Sequence, residues 1–524
     1  MMFKDLNLNK KDKYYLLFIL LFSMLLVTNY IYFNVNLGIS CSDVYLYLLN
    51  ALYFTGTNIG ATENIFLSPL VCFLTSILFR SGLVDKIAIF IVTGALAIFG
   101  NIGLYLLLKQ YFDEIYSLAG VIIYSTLSLN LTWLANGTLD IPAVSFTIWL
   151  ALFSIIAIKK NPKFYTYAMI ILVLGFFTRY TVVLAIPPIL LYYVYEKGFK
   201  ITPEDKKHII KAVIIGLVIG MIILSVVLIM GHGQFGAGQQ FINRATGISG
   251  SERDPAFNPD FSYYLVNLPN FISNSHTVFK GNPVLESPTV LSLVFFSILI
   301  IGTVLWLKNN KSRPKDPVLP VALFLISFLI FTKVTSLITI FLVMVGLYII
   351  GKDSDNKVAL IMLLWILSNM IFFSHYNIKV NRYIIPIFPA LIYFLIRALD
   401  IIKDNVKINK NIIPIILIIL FAVQGFAFTQ SFEPTNEYIS TEEISDYIME
   451  INPDYQDIPI GTYNLRPYRW WIGSNIIGIP STNHNAIDKS NITYYFSNTK
   501  LTDLQNFTEI KNINNLYLYE RINT

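Results

Sequence analysis

Apolar runs of about 20 residues recur from Tyr14 to near Gln430. Each is long enough to cross a hydrocarbon core of ~30 Å as a helix. That recurrence makes the chain an all-α polytopic membrane protein. Of its 524 residues 55% are hydrophobic and only 13% charged, whereas a soluble domain carries about 25% charge. The net charge of +6 is no nucleic-acid signal, because Lys and Arg sit in the short loops between runs, where they set orientation. Cys41 and Cys72 are the only cysteines. They exclude a disulfide framework and a cysteine metal site, and leave a single pair or two free thiols equally open.

Charge places the ends. Lys4, Lys10, Lys11 and Lys13 precede the first run, so the N-terminus is expected on the cytoplasmic side of the cell membrane. Basic clusters follow the runs 141–158, 180–195, 289–307, 334–351 and 384–399. All of them fall inside only if an even number of spans separates Asp43 from Asp140. Three runs lie in that interval, and the shortest, 65–79, is then expected to lie along the outer surface together with 43–55. The remaining spans read 14–34, 87–108, 115–134, 141–158, 165–178, 180–195, 210–230, 289–307, 318–332, 334–351, 358–373, 384–399 and 412–430. The expectation is therefore about 13 transmembrane helices, with the C-terminus outside.

Three segments share the expected outer face. The loop 35–86 is one, and the loop 231–288, opening with GHGQFGAGQQ, is another. Its FSYYLVNLPNFIS stretch suits an interfacial helix with aromatics at headgroup depth. The third is the polar tail 431–524, set apart from the transmembrane domain 1–430. Ser440 and Glu443 make a capping box ahead of a short helix. IPIGTY, NITYYFS and NLYLYE read as strands, so a small extracytoplasmic α/β domain is expected. Its RPYRWW run suits stacking on a glycan, or packing on the bundle or on headgroups. Sequons begin at Asn136, Asn491 and Asn506.

Ionisable groups at membrane depth are costly and mark function by default. Here they gather at one level: Asp43, Asp140, Arg179, His232, His375, Lys379 and Arg382. Two carboxylates can bind or deprotonate a hydroxyl, and guanidinium or ammonium groups can hold a phosphate. Together they suit glycosyl transfer from a lipid phosphate to a hydroxyl. An aspartate at a helix start is also an ordinary N-cap, and an arginine at a span end can snorkel to headgroups. The residues alone leave both readings standing. No cluster has metal-ligand spacing, so a divalent cation has no support in the sequence.

The order of these motifs resembles the C-type glycosyltransferases of the dolichyl-phosphate-mannose–protein mannosyltransferase family, which includes the lipid A aminoarabinose transferases. The carriers are Asp43 with Tyr47, Ala51 and Gly56; SPLVCFLTSILF; Asp140 with Pro142; FFTRYTVVLAIPPILLYY; and RYIIPIFPALIYFLIRAL. One departure stands out. Many relatives follow the first aspartate with glutamate, and here Val44 takes that place.

The resemblance implies a donor that is a polyprenyl-phosphate-linked sugar and an acceptor hydroxyl on a protein, glycan or lipid. It implies Asp43 as base or as the group that orients the acceptor, with Asp140 supporting it. It implies Arg179, Lys379, Arg382 and Tyr383, with His375 and His232, as candidates for the lipid phosphate. A transporter of lipid-linked sugars is the rival reading, but it calls for polar groups along a path through the bilayer. A non-catalytic scaffold in glycan assembly is a third.

Overall fold

The computed structural model describes residues 6, 8–34, 37–57, 69–230, 237–246, 256–278, 284–309, 317–352, 354–405, 409–433, 436–473 and 475–522. Among these, eight helices are long and apolar enough to cross a membrane. They are Asp12–Phe33, Ile87–Leu108, Asp140–Lys159, Pro203–Ile229, Val290–Lys308, Lys357–His375, Asn381–Asn405 and Ile412–Gln430. A ninth arises if Glu114–Ser125 and Ser128–Ala135, bent by 53°, form one span. Phe164–Thr178, Val318–Ile330 and Ser336–Gly351 are shorter apolar helices.

The expectation of 13 full crossings is thus not met by length. Each expected run is helical, but several are interrupted. Thr126 interrupts 115–134 by turning its hydroxyl onto the carbonyls of Ile122 and Ile123, at 2.7 and 3.2 Å. Such back-bonding bends helices. The run 180–195 divides into a 3₁₀ turn, Tyr180–Ala185, and a helix, Ile186–Lys197, with Pro at its first positions.

The same device occurs twice. Arg179 caps the Phe164–Thr178 helix in an extended conformation, and Tyr180 opens a 3₁₀ turn before Pro187 and Pro188. Later, Arg382 and Tyr383 lie in the 3₁₀ turn Asn381–Ile387, followed by Pro389 in the helix Phe388–Asn405. Proline cannot continue a preceding helix but starts one well. Each Arg-Tyr pair is therefore held on a tight turn at a helix junction.

The Asp140–Lys159 helix is buried from Asp140 to Ile158. Small residues let its neighbour approach: a β-carbon at Gly100 would meet Ser145 Cβ at 2.8 Å, and one at Gly103 would meet Trp149 Nε1 at 2.6 Å. Close backbone approach of this kind is what drives helix association in lipid. The Trp149 indole N–H donates to Phe99 O at 2.8 Å and fixes the register.

Helices form over both stretches expected at the outer surface, at Ser42–Thr55 and Pro69–Arg80, and the first is buried over Val44–Ala51. Phe54 and Phe73 meet edge to face at 5.8 Å, and Arg80 donates to Phe54 O at 2.6 Å. Cys41 and Cys72 are both buried free thiols. The FSYYLVNLPNFIS stretch forms two short helices, Tyr263–Val266 and Leu268–Ile272. Asn136 is buried and accepts the Ser40 hydroxyl, so that sequon cannot carry a glycan in the folded chain.

Two small sheets lie among the described residues. Strands β1 (Thr277–Val278), β2 (Val284–Leu285) and β3 (Phe432–Glu433) pair in the order β2-β1-β3. They tie the long loop to the start of the tail. The tail holds β4 (Ile460–Thr462), β5 (Ile476–Gly478), β6 (Tyr494–Ser497), β7 (Phe507–Ile513) and β8 (Leu516–Arg521), in the order β5-β4-β6-β8-β7. β5 and β7 were not legible as strands. Side chains alternate across this sheet: Tyr494, Phe496 and Leu518 pack with Ile444 and Ile448 on one face, and Tyr495 and Tyr519 with Ile487 on the other. β7 and β8 are joined by Asn514 and Asn515, both at positive φ, as a two-residue hairpin asks.

The capping box is corrected. The tail helix spans Asn436–Ile451, so Ser440 is interior and its hydroxyl accepts from Asn514 Nδ2 at 3.0 Å.

Candidate active site

Asp43 and Asp140 each sit in the first turn of a helix, where the macrodipole favours a negative charge. Neither is an N-cap. The caps are Cys41 and Leu139, without side-chain cap bonds. Both carboxylates instead turn onto arginines. Arg382 Nη2 donates to Asp43 Oδ2 at 2.7 Å. Arg179 Nη1 lies 2.6 Å from Asp140 Oδ1. Arg382 Nε lies 3.9 Å from Asp140 Oδ2, and neither of these two atoms has a hydrogen-bond partner among the described residues. One guanidinium therefore serves both acids. The sequence placed Asp43, Asp140, Arg179 and Arg382 at one level, and the structure brings them into contact.

The aromatic frame is shared too. The Tyr383 ring has Arg179 at 5.5 Å, Arg382 at 5.8 Å and Arg244 at 4.8 Å. Desolvated cation–π contacts of this kind contribute up to about 2 kcal/mol each. Phe373 stacks on Tyr383 at 5.0 Å. Arg244 also faces Tyr180 and Tyr376, at 5.6 and 4.9 Å. Its buried Nη1 has no hydrogen-bond partner among the described residues. Trp133 lies 5.0 Å from the Arg382 guanidinium.

The tail reaches in. Arg466 Nη1 lies 3.6 Å from Asp43 Oδ1 and donates to Ser42 Oγ at 3.4 Å. It belongs to the helix Leu465–Trp471, the RPYRWW run. That run packs on the Pro69–Arg80 helix, where Trp470 stacks on Phe79 at 5.9 Å, and beside the start of the Ile87–Leu108 helix, where Trp471 faces Lys86 at 5.5 Å. Lys86 also pairs with Glu442 at 2.7 Å.

Burial pushes the Asp43 carboxyl up, but Arg382, then Arg466 and Arg179, outweigh it and hold the carboxyl below the ordinary carboxylate value. Burial pushes the neighbouring Cys41 thiol up to about 11, so it stays protonated at neutral pH.

The other sequence candidates lie differently. The Lys379 ammonium donates to the carbonyls of Phe373 and Ser374, at 3.3 and 2.7 Å, and to that of Tyr376. Its three donors are thereby used at the end of the Lys357–His375 helix. His375 packs edge-on to Phe331 at 5.6 Å. His232 lies outside the described residues. Sequence reading missed Arg244 and Arg466. Among the described residues no group of three or more His, Cys, Asp or Glu side chains comes together that could hold a metal ion.

Short helices beside a bundle of apolar helices, first-turn acids at one end and an α/β tail make up a fold that is similar to those of solved membrane transferases. Residues 66–229 match the family model of the dolichyl-phosphate-mannose-protein mannosyltransferases. No curated protein matches the sequence. Among solved structures the chain is similar to ArnT from Cupriavidus metallidurans in the apo state, with a TM-score of 0.61 at 9% identity, covering 96% of this chain and 98% of that one. ArnT bound to undecaprenyl phosphate matches with a TM-score of 0.54 at 10% identity and the same coverage. The archaeal oligosaccharyltransferase AglB from Archaeoglobus fulgidus, in complex with an inhibitory peptide and a dolichol-phosphate, matches at 0.50 and 11% identity. It is covered over 70% of its length, against 93% of this chain.

Proposed function

We propose that this protein is a membrane glycosyltransferase that moves a sugar from a polyprenyl-phosphate-linked donor to a hydroxyl acceptor on the outer face of the membrane. The observation that carries the reading is the ionic centre in which Arg382 is shared by Asp43 and Asp140. Two of the structurally similar proteins are bound to polyprenyl phosphates, which supports the donor class.

The reaction follows from these groups. The acceptor oxygen attacks the anomeric carbon of the donor sugar. The bond from that carbon to the phosphate oxygen breaks, and its electron pair leaves on the polyprenyl phosphate. Arg382, Arg179 and Arg244 neutralise that leaving charge, since a guanidinium matches phosphate oxygens with two parallel donors. The hydroxyl proton passes to the Asp43 carboxylate.

Arg382 links the two halves of the reaction. Paired to Asp43, it makes that carboxylate a weak base. A donor phosphate that draws Arg382 away lifts the Asp43 pKa, so the base strengthens when the donor is in place. Asp140 keeps Arg179 and Arg382 in register.

The test is transfer by purified protein in lipid vesicles, offered polyprenyl-phosphate sugars and hydroxyl acceptors. Asp43→Asn is expected to abolish transfer while the protein inserts and folds as before. Unchanged transfer refutes the assignment. Mass spectrometry of surface glycans with and without the protein identifies the sugar and the acceptor together.

A further inference from the structure

Asp43 presents its two oxygens to two different parts of the chain. Oδ2 is held by Arg382 at 2.7 Å, from the turn within the bundle. Oδ1 faces Arg466 at 3.6 Å, from the tail. Arg466 is placed by the docking of its own helix, through Trp470 on Phe79 and Trp471 beside Lys86. It also donates to Ser42, the residue before Asp43. A carboxylate gripped at one oxygen cannot rotate freely about its Cβ–Cγ bond.

We propose that Arg466 is a positioning residue of the reaction centre: it fixes Asp43 Oδ1 so that Oδ2 is the oxygen presented to the acceptor hydroxyl once the donor phosphate has taken Arg382. This rests on the glycosyl-transfer reading and extends the centre to the tail. When Arg382 turns to the phosphate, Arg466 is the cation that remains on Asp43 and keeps it ionised until the hydroxyl proton arrives. Among the described residues Arg382, Arg466 and Arg179 face Asp43, Cys41 and Tyr47 lie beside it, and Asp140 shares Arg382 with it.

The test needs no substrate. Full-length protein in lipid nanodiscs is labelled with a water-soluble carbodiimide, which reacts with protonated carboxyls, and modification of Asp43 is followed by peptide mass spectrometry across the acid range. In Arg466→Gln the midpoint of Asp43 labelling moves to higher pH by about one unit, a roughly tenfold change in protonated fraction. In Arg466→Lys, which keeps the charge, the midpoint returns part of the way. Exposed Asp503 and Glu433 serve as internal standards for folding and reagent.

A midpoint that does not move in folded Arg466→Gln overturns the proposal. So does an equal shift in Arg466→Lys, because packing and not charge would then be the cause. If the midpoint moves as expected but no polyprenyl-phosphate sugar is ever a donor, the coupling of Arg466 to Asp43 stands and the glycosyl-transfer reading falls.

Discussion

Trp133 holds Arg382 in two ways at once. Its indole N–H donates at 2.7 Å to the side chain of Asn381, the residue before Arg382, and its ring lies 5.0 Å from the Arg382 guanidinium. An arginine serving two acids is thereby kept at one height. Trp133→Phe keeps a ring beside Arg382 but loses the hydrogen bond; Trp133→Leu loses both. Transfer is expected to fall in that order, with Trp133→Leu about tenfold or more below wild type, since loss of a desolvated cation–π contact costs about 1–2 kcal/mol. Steady-state transfer rates check the ranking.

Asp43 and Asp140 are expected to fail differently. Asp43→Asn removes the base, for a loss of about 10²–10⁴ in rate, and its cost in thermal stability is expected to be the smaller of the two, since its side chain is 32% exposed against 2% for Asp140. Asp140→Asn leaves two enclosed arginines short of an anion. Breaking one side of a buried pair destabilises by about 3–5 kcal/mol. Its loss of activity should therefore come with a lower melting temperature, measured by thermal unfolding in detergent.

The pH dependence has a defined sign. The folded Asp43 carboxyl lies below its ordinary value of 3.8. The stabilisation from its ion pairs is thus fully present above that value and is lost as pH falls through the folded one. The acid limb of kcat/KM, which reports the free enzyme, should lie below the ordinary carboxylate range. The acid limb of kcat should lie higher, because bound donor has drawn Arg382 away. Identical limbs would argue against Arg382 changing partners.

Lys379 offers the opposite sign. Burial pulls its ammonium down to about 8, against 10.5 ordinarily. The folded protein binds this proton less tightly than the unfolded chain, so the cost of keeping it charged is full below about 8 and fades between there and about 10.4. Wild type should therefore gain stability relative to Lys379→Gln as pH rises across that window. Because the ammonium is spent on three carbonyls, Lys379→Gln is expected to leave KM for the donor within a few fold. A KM increase of a hundredfold would restore Lys379 as a phosphate ligand.

What was legible in the sequence follows from cost. A charge beside an apolar run is expensive enough to stand out, so Asp43, Asp140, Arg179 and Arg382 could be picked out and set at one level. Arg466 lies in a polar tail where charges are cheap, and only its contact with Asp43 marks it. Arg244 sits after a glycine- and glutamine-rich stretch with no periodic signal, and its aromatic surroundings come from distant parts of the chain. Span number is less legible for a related reason. Apolar composition records that a run is buried, not that it is one straight helix, and the 3₁₀ turns before Pro187 and Pro389 are geometric events.

The shared guanidinium also acts as a clasp. Asp43 comes from a helix near the start of the chain, Asp140 from the Asp140–Lys159 helix, and Arg382 from a turn near the end of the bundle. Packing holds these three parts together, and at this point one positive charge joins all of them. An anion that draws that charge away is expected to release both carboxylates at once, so occupancy and local looseness should rise together.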